Sequence, residues 1–194
     1  GSYKRSGMMI VGLRPARSDD LAVITDLAKM SDEQGILEMV TSNDPGLMEK
    51  AVFAVDQAWV VESQGTVVGA AFGYDRQASR RASWRTFHAL LNVYGVSHFL
   101  KILPALIKLG WRTRFGNKEF YLSNIAVFPK YRGLGVGANL MHHFEKTCGK
   151  ERLILDVAGE NTKAIRFYER LGYRRERSWH FLGKRYLRMV KQLK

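Results

Sequence analysis

Arg132-Gly133-Leu134-Gly135-Val136-Gly137-Ala138 sets three glycines at the start of a segment whose Leu140, Met141 and Phe144 recur at helical spacing. Glycines at a helix start let backbone N–H groups crowd around an anion, and the helix dipole favours negative charge there. The chemistry this spacing supports is a phosphate cradle. Three loop types share that physics. A Walker loop requires Gly-Lys-Ser/Thr to place a lysine and a Mg²⁺ ligand, and neither follows here. The dinucleotide fingerprint fits in part. Gly133, Gly135 and Ala138 satisfy G-x-G-x-x-A, and Asp156 ends the next apolar run about 20 residues on, where a ribose-binding acid would sit. Its first glycine should follow its strand at once, whereas Phe128–Arg132 intervene.

The elements that must hold the loop are legible on either side of it. Phe120–Val127 is apolar and β-branched enough for a buried strand, and Pro129, which brings no N–H to a ladder, ends it. Upstream, Met8–Arg14 reads as a short strand. Ser18 is placed to cap a helix with Asp19 and Asp20 in its first turn and Leu21, Ile24, Leu27 and Ala28 as its stripe. Asp32–Thr41 and Leu47–Val55 read as further helical pieces around a turn at Asn43–Gly46. Ala58–Glu62 and Thr66–Tyr74 form a hairpin through Ser63-Gln64-Gly65. Downstream come a strand, Arg152–Val157, a helix, Lys163–Leu171, stopped by Gly172, and two strands, Tyr173–Trp179 and Lys184–Val190. No internal repeat or low-complexity linker interrupts them.

The stretch Arg76–Lys118 stands apart. Ser83–Leu91 and Val96–Leu109 are apolar at helical spacing, but the second is too short, and too interrupted by His98, Lys101, Pro104 and Lys108, to span a bilayer. The simplest reading is a helical insertion packed on its own sheet; the others are a lid over an acceptor pocket or an interfacial membrane contact.

A chain of 194 residues with 46% apolar content can bury one sizeable core, so a single domain over 1–194, insertion at 76–118 included, is expected. One cysteine, Cys148, excludes an internal disulfide. With no signal peptide at the start, a cytoplasmic protein is the expectation, as monomer or homodimer. The net charge of +13 is unevenly spread. Asp19–Glu62 holds ten acids against Lys29 and Lys50, Arg76–Lys118 holds nine Lys/Arg and no acid, and from Arg174 onward eight bases face only Glu176. Such a field steers anionic ligands. It suits nucleic acid or an anionic membrane as well, but no nucleic-acid motif accompanies it, and neither partner is favoured.

Two motifs together define a resemblance. Arg132-x-x-Gly135-x-Gly137, after a strand and Val127-Phe128-Pro129, resembles the acetyl-CoA motif of the GNAT superfamily of N-acetyltransferases. Asn161, Ala164-Ile165 and Phe167-Tyr168-Glu169-Arg170-Leu171-Gly172-Tyr173 resemble that family's second signature, at the family's spacing. The match is good from about Tyr121 to Tyr173; the N-terminal third agrees only in element order, and Arg76–Lys118 departs from the family's short connection. The resemblance implies an α/β (α+β) fold. Its sheet would be mixed and mostly antiparallel, of six to seven strands, splayed open in the middle and flanked by helices. Acetyl-CoA would lie in the V, its pyrophosphate on the amides of Arg132, Gly133, Leu134, Gly135, Val136, Gly137 and Ala138. The strand backbone at Ile125, Ala126 and Val127 would take the thioester carbonyl and the pantetheine arm.

Direct transfer to an amine requires a deprotonated amine, a polarised carbonyl and a proton for the departing thiolate. By resemblance Tyr168 is the general acid, against the alternative of a core tyrosine. Asn161 would contact the cofactor, although helix capping alone accounts for its type. No single base stands out: many relatives carry a glutamate near Tyr121 and Ser123, and here Glu38, Asp75, His88 or a water chain through Ser123 could serve. No metal is expected, since adjacent His142 and His143 on a helix face apart. The acidic N-terminal segment, which the family sets along the acceptor site, favours a cationic small-molecule amine, polyamine or amino-acid derivative. The rivals are a protein N-terminus or lysine as acceptor, and a noncatalytic CoA- or RNA-binding module.

Overall fold

The computed structural model describes residues 10–31, 58–81, 83–84, 88, 91–92, 96–97, 100–101, 103–104, 107, 114–181 and 183–193. The helical pieces expected at Asp32–Thr41 and Leu47–Val55 lie outside the described residues.

Seven strands form one sheet in the order β1-β2-β3-β4-β5-β7-β6. They are β1 Ile10–Pro15, β2 Ala58–Ser63, β3 Thr66–Tyr74, β4 Glu119–Val127, β5 Arg152–Ala158, β6 Arg174–Phe181 and β7 Lys184–Gln192. Every neighbouring pair is antiparallel except β4 and β5, which run parallel. The helices are α1 Leu21–Ser31, α2 Val136–Thr147 and α3 Thr162–Arg170. The sheet is thus mixed and mostly antiparallel, as expected.

Two apolar layers sandwich it. On one face α2 (Leu140, Met141, Phe144) and α3 (Ile165, Tyr168) pack on Phe120, Leu122, Leu153, Leu155 and Met189. On the other, Ile24, Leu27 and Ala28 of α1 cover Val60, Ala70, Phe72 and Ala126. These alternations follow from the strand period of two against the helix period of 3.6. Hydrophobic burial of this kind is the main favourable term in folding. The β2–β3 hairpin turns through Gln64 and Gly65, at φ 51° and 74°, the paired left-handed geometry whose twist suits a two-residue hairpin.

The start of α1 differs from the expectation. Ser18 lies inside a 3₁₀ turn, Ser18–Asp20, and the buried Asp20 carboxylate accepts the Arg17 N–H at 2.7 Å. Asp20 also binds Arg14 through two hydrogen bonds of 2.6 and 3.0 Å, and Arg14 reaches Glu62 at 2.6 Å. Arg14 holds the Asp20 carboxyl below the usual carboxylate range, outweighing the opposing cost of burial. The turn is closed instead by the Asp20 carboxylate, which satisfies a backbone donor and the half-buried Arg14 together.

The sheet divides at its centre. β4 and β5 pair only from Glu119↔Arg152 to Leu122↔Leu155. Beyond those four pairs β4 stays with β3 as far as Val127, while β5 stays with β7 as far as Ala158. A bulge helps to set the divergence, because Phe72 pairs Asn124 and Gly73 pairs Leu122, leaving Ser123 as the extra residue. Gly73 is required at that point. A Cβ there would run into the Phe120 ring and come within 2.7 Å of the Tyr121 carbonyl oxygen. Gly73→Ala is expected to destabilise the protein by about 1–3 kcal/mol through overpacking, read as a lower denaturant midpoint at unchanged m-value.

The described residues between 76 and 107 are helical; among them Ala78 is buried and Leu91 and Leu103 are half-buried. Trp84, Val96, Leu100 and Ile107 are each more than half exposed. No helix among the described residues is long and apolar enough to cross a membrane.

Candidate active site

The glycine loop follows β4 through a 3₁₀ turn, Pro129–Tyr131, and delivers the chain to α2. Its glycines do different things. Gly133 and Gly135 sit at φ 77° and 83°, a left-handed backbone that favours glycine, and a Cβ at either would face open space. Gly137 is instead a point of close approach, since a Cβ would stand 3.3 Å from the Phe167 ring and 3.9 Å from Ile125 Cδ1. The end of β4, the first turn of α2 and the face of α3 therefore meet at Gly137.

Gly135 precedes α2 without any side-chain cap, and the Asn139 N–H is bonded to the Gly135 carbonyl at 2.9 Å. The amides before Asn139 in this first turn have no partner within the helix. Leu134 and Ala138 are half-buried and Val136 is buried. Arg132 is exposed, and its Nε donates to the Val127 carbonyl at 3.0 Å, closing the loop onto the end of its own strand. The result is a positive, donor-rich lip at the open end of the fork.

Within the fork, Ile125 and Val127 pack against the α2/α3 core, while Ala126 is 9% exposed and belongs to the α1 core. The three positions predicted to work through backbone are thus split by side chain between two faces.

Asn161 caps α3: its Oδ1 accepts the Ala164 N–H at 2.9 Å. Two turns on, Tyr168 is 8% exposed in the core that lines the fork, its ring 5.2 Å from Phe167 and 6.0 Å from Tyr173. Burial raises the Tyr168 hydroxyl well above its ordinary pKa. It therefore holds a proton throughout the neutral range, which suits an acid and excludes a resting base.

The candidate bases separate clearly. Glu38 lies outside the described residues. Asp75 accepts the Ala78 N–H at 2.8 Å and pairs with Lys150 at 3.6 Å, an anchoring role at the start of the insertion. His88 is exposed and stacks on Trp84 at 5.8 Å. Ser123, exposed at the bulge, stands just past the fork's last residue pair. Glu119 is committed to Arg152 and the Gly116 N–H. Among the described residues no group of three or more metal-ligating side chains occurs. His142 pairs with Glu145, while His143 lies on Trp59 with ring centres 3.7 Å apart.

Sequence reasoning missed the most buried charged cluster. Asp156, which spacing puts where a ribose-binding acid would sit, is instead paired inside the protein. Its side chain is 4% exposed and that of Arg188 3%, and they join through contacts of 2.7 and 3.1 Å. Trp179 Nε1 donates to Asp156 at 3.1 Å, and Arg188 donates to the Arg114 carbonyl at 2.7 Å. Tyr121 lies below the Arg188 guanidinium; burial, and then the Asp156 charge, push its hydroxyl well above the ordinary range. Phe115 stacks on Tyr121 at 5.5 Å. The one available signal was the alternation that puts Asp156 between buried Leu155 and Val157, facing away from their core.

The fold is thus α/β, with a forked, mostly antiparallel sheet and a glycine-opened helix start at its mouth. A model of the acetyltransferase (GNAT) family matches residues 29–173. The chain belongs to that family. Streptothricin acetyltransferase of Streptomyces lavendulae is 32% identical over 108 residues, covering 54% of this chain and 52% of the relative. The 5-NmdU N-acetyltransferase of Pseudomonas phage PaMx11 is 40% identical over 55 residues, 28% of this chain and 39% of the relative. A match to an uncharacterized Mycobacterium leprae protein covers 25% of it, so the chain spans between a quarter and about half of the curated relatives it matches. An N-acetyltransferase structure from Staphylococcus aureus Mu50 superposes at TM-score 0.71, with 19% identity over 93% of this chain and 100% of that one. That last likeness concerns the fold.

Proposed function

We propose that the protein transfers an acetyl group from acetyl-CoA directly to a primary amine of a small molecule. The observation that carries this reading is the fork beyond Leu122 and Leu155, open toward the uncapped start of α2, with Tyr168 in the core beside it. The amides of the 132–138 loop would take the pyrophosphate. The free edge of β4 past Leu122 would take the pantetheine arm, and the backbone near Ile125 would polarise the thioester carbonyl. The amine nitrogen attacks the carbonyl carbon, the C–S bond breaks, and the thiolate takes the Tyr168 proton. The amine's own proton leaves through water at Ser123, which needs no dedicated side-chain base. Asn161, already the cap of α3, would line the cofactor side.

Two relatives named for small-molecule acceptors support the acceptor class, as does the acidity of the segment from Asp19 to Glu62. The test is thiol release from acetyl-CoA against a panel of small amines, amino-acid derivatives and peptides. Release well above background with a small primary amine is expected. Release with peptides alone would transfer the reading to a protein acceptor, and none with any acceptor would leave a CoA-binding module.

A further inference from the structure

In the proposed transfer Tyr168 hands its proton to the departing thiolate, so its hydroxyl has to be held in one place. That hydroxyl stands at the far end of the ring, where a small rotation of the side chain displaces it most. The Tyr168 ring meets two others edge-on, Phe167 at 5.2 Å and 61° and Tyr173 at 6.0 Å and 62°. Phe167 is its neighbour on α3. Tyr173 lies beyond the helix, past the turn at Gly172, and its N–H donates to the Tyr168 carbonyl at 3.0 Å.

Tyr173 is 2% exposed, and it is held by more than packing. Its hydroxyl donates to Glu145 Oε1, near the end of α2, at 3.1 Å. The other oxygen of Glu145 holds Lys191 Nζ of β7 at 2.8 Å and His142 Nδ1 at 3.1 Å. The Lys191 ammonium also lies 5.6 Å from the centre of the Tyr173 ring. The ring is therefore tied to α2 and to β7 at once.

A ring kept only to fill space needs none of this. The Glu145 side chain is 11% exposed, and a carboxylate drawn that far from water has to be paired. Lys191 supplies the pair, and the remaining oxygen is left for one phenol. A hydrogen bond to an ionised acceptor is stronger and shorter than a neutral one, so it fixes its donor more firmly. Burial, and then the Glu145 charge, raise the Tyr173 hydroxyl above its ordinary range, so it stays a donor throughout the neutral range.

We propose that Tyr173 and Glu145 are positioning residues for Tyr168. Glu145, clamped by Lys191, fixes the Tyr173 ring, and that ring sets the orientation of the Tyr168 ring against it. This inference rests on the acetyl-transfer reading and deepens it.

The experiment begins with Tyr173→Phe, which keeps both rings and removes only the tether. A displaced acid costs rate rather than binding, and a shift of about 1 Å can cost about 100-fold, so a fall in kcat of about tenfold is expected for this partial loosening. The KM and calorimetric affinity for acetyl-CoA should stay within about twofold, as expected when only a transition-state contact is lost. Glu145→Ala should match that fall. Glu145→Gln, whose amide oxygen still accepts the hydroxyl, should bring kcat back to within about threefold of wild type. In a Tyr168→Phe background, Tyr173→Phe should cost nothing further, because residues that act through one another are not additive. A measurement that needs no acetyl-CoA is the side-chain order parameter of Tyr168 in protein labelled at its tyrosine rings, which should fall in Tyr173→Phe.

Wild-type kcat in Tyr173→Phe, an unchanged Tyr168 order parameter, or a Tyr173→Phe cost that persists in full without the Tyr168 hydroxyl would overturn this inference alone. No transfer by the wild-type protein, or wild-type kcat in Tyr168→Phe, would overturn the role of Tyr168 itself and this inference with it. Should Glu145→Ala fail to fold, the Tyr168–Tyr173 cycle and the order parameter decide.

Discussion

Replacing Tyr168 by phenylalanine is expected to lower acetyl transfer by about 100-fold or more, the usual worth of a positioned acid, with acetyl-CoA affinity and melting temperature little changed. The substitution removes one oxygen and keeps the ring that packs between Phe167 and Tyr173. Steady-state thiol release gives kcat, calorimetry gives the affinity, and the two should separate. The pH profile adds an independent check. Burial raises the Tyr168 pKa, so the group stays protonated up to and beyond its ordinary value. An acid-catalysed step then shows no alkaline fall from Tyr168 below about pH 10. If the phenylalanine variant keeps wild-type kcat, Tyr168 is a packing residue and the thiolate takes its proton from solvent.

The second large effect is on stability. Asp156→Ala would strand the Arg188 guanidinium in a site where its side chain is 3% exposed, and would leave Trp179 Nε1 without its acceptor. Removing one partner of a buried pair typically costs about 3–5 kcal/mol. For a chain of this size that corresponds to a fall in Tm of roughly 10 °C. Arg188→Met alone should behave similarly, because an unpaired carboxylate is left behind. The double variant Asp156→Leu with Arg188→Met removes both charges and should recover most of the loss, as apolar replacements of buried pairs often do. Scanning calorimetry on the four proteins closes the cycle, and a double variant no better than the singles would mean that the network, not the charge imbalance, sets the cost.

What could be read without coordinates was whatever is written in consecutive residues. The 58–74 hairpin was signalled by two β-branched runs around Gln64-Gly65, and α3 by an Asn cap and a closing Gly172, itself at φ 89°. The glycine loop was placed by its own spacing and by the strand before it. The fork was visible only through the family resemblance, since nothing local in Ser123–Val127 states that its pairing with β5 has ended. Long-range polar partnerships were invisible. Asp156 meets Arg188 across 32 positions and Arg14 meets Glu62 across 48, and no periodicity encodes which acid will find which base. Ser18 falls inside a 3₁₀ turn for the same reason: the turn is closed by Asp20, fixed by Arg14, a partnership that the local sequence does not state.

The fork has a mechanical meaning as well. The two halves of the sheet are stitched together by four residue pairs, while the β2–β3 and β5–β7 seams run nearly the full strand length. A cooperative boundary therefore runs down the middle of the molecule, and it is the place where the fold is least redundant. An extended molecule that hydrogen-bonded along both arms of the V would complete the missing ladder and tie the halves together. Under the proposed function, a donor bound in the fork would then stabilise the whole fold by linkage as well as supply the acetyl group.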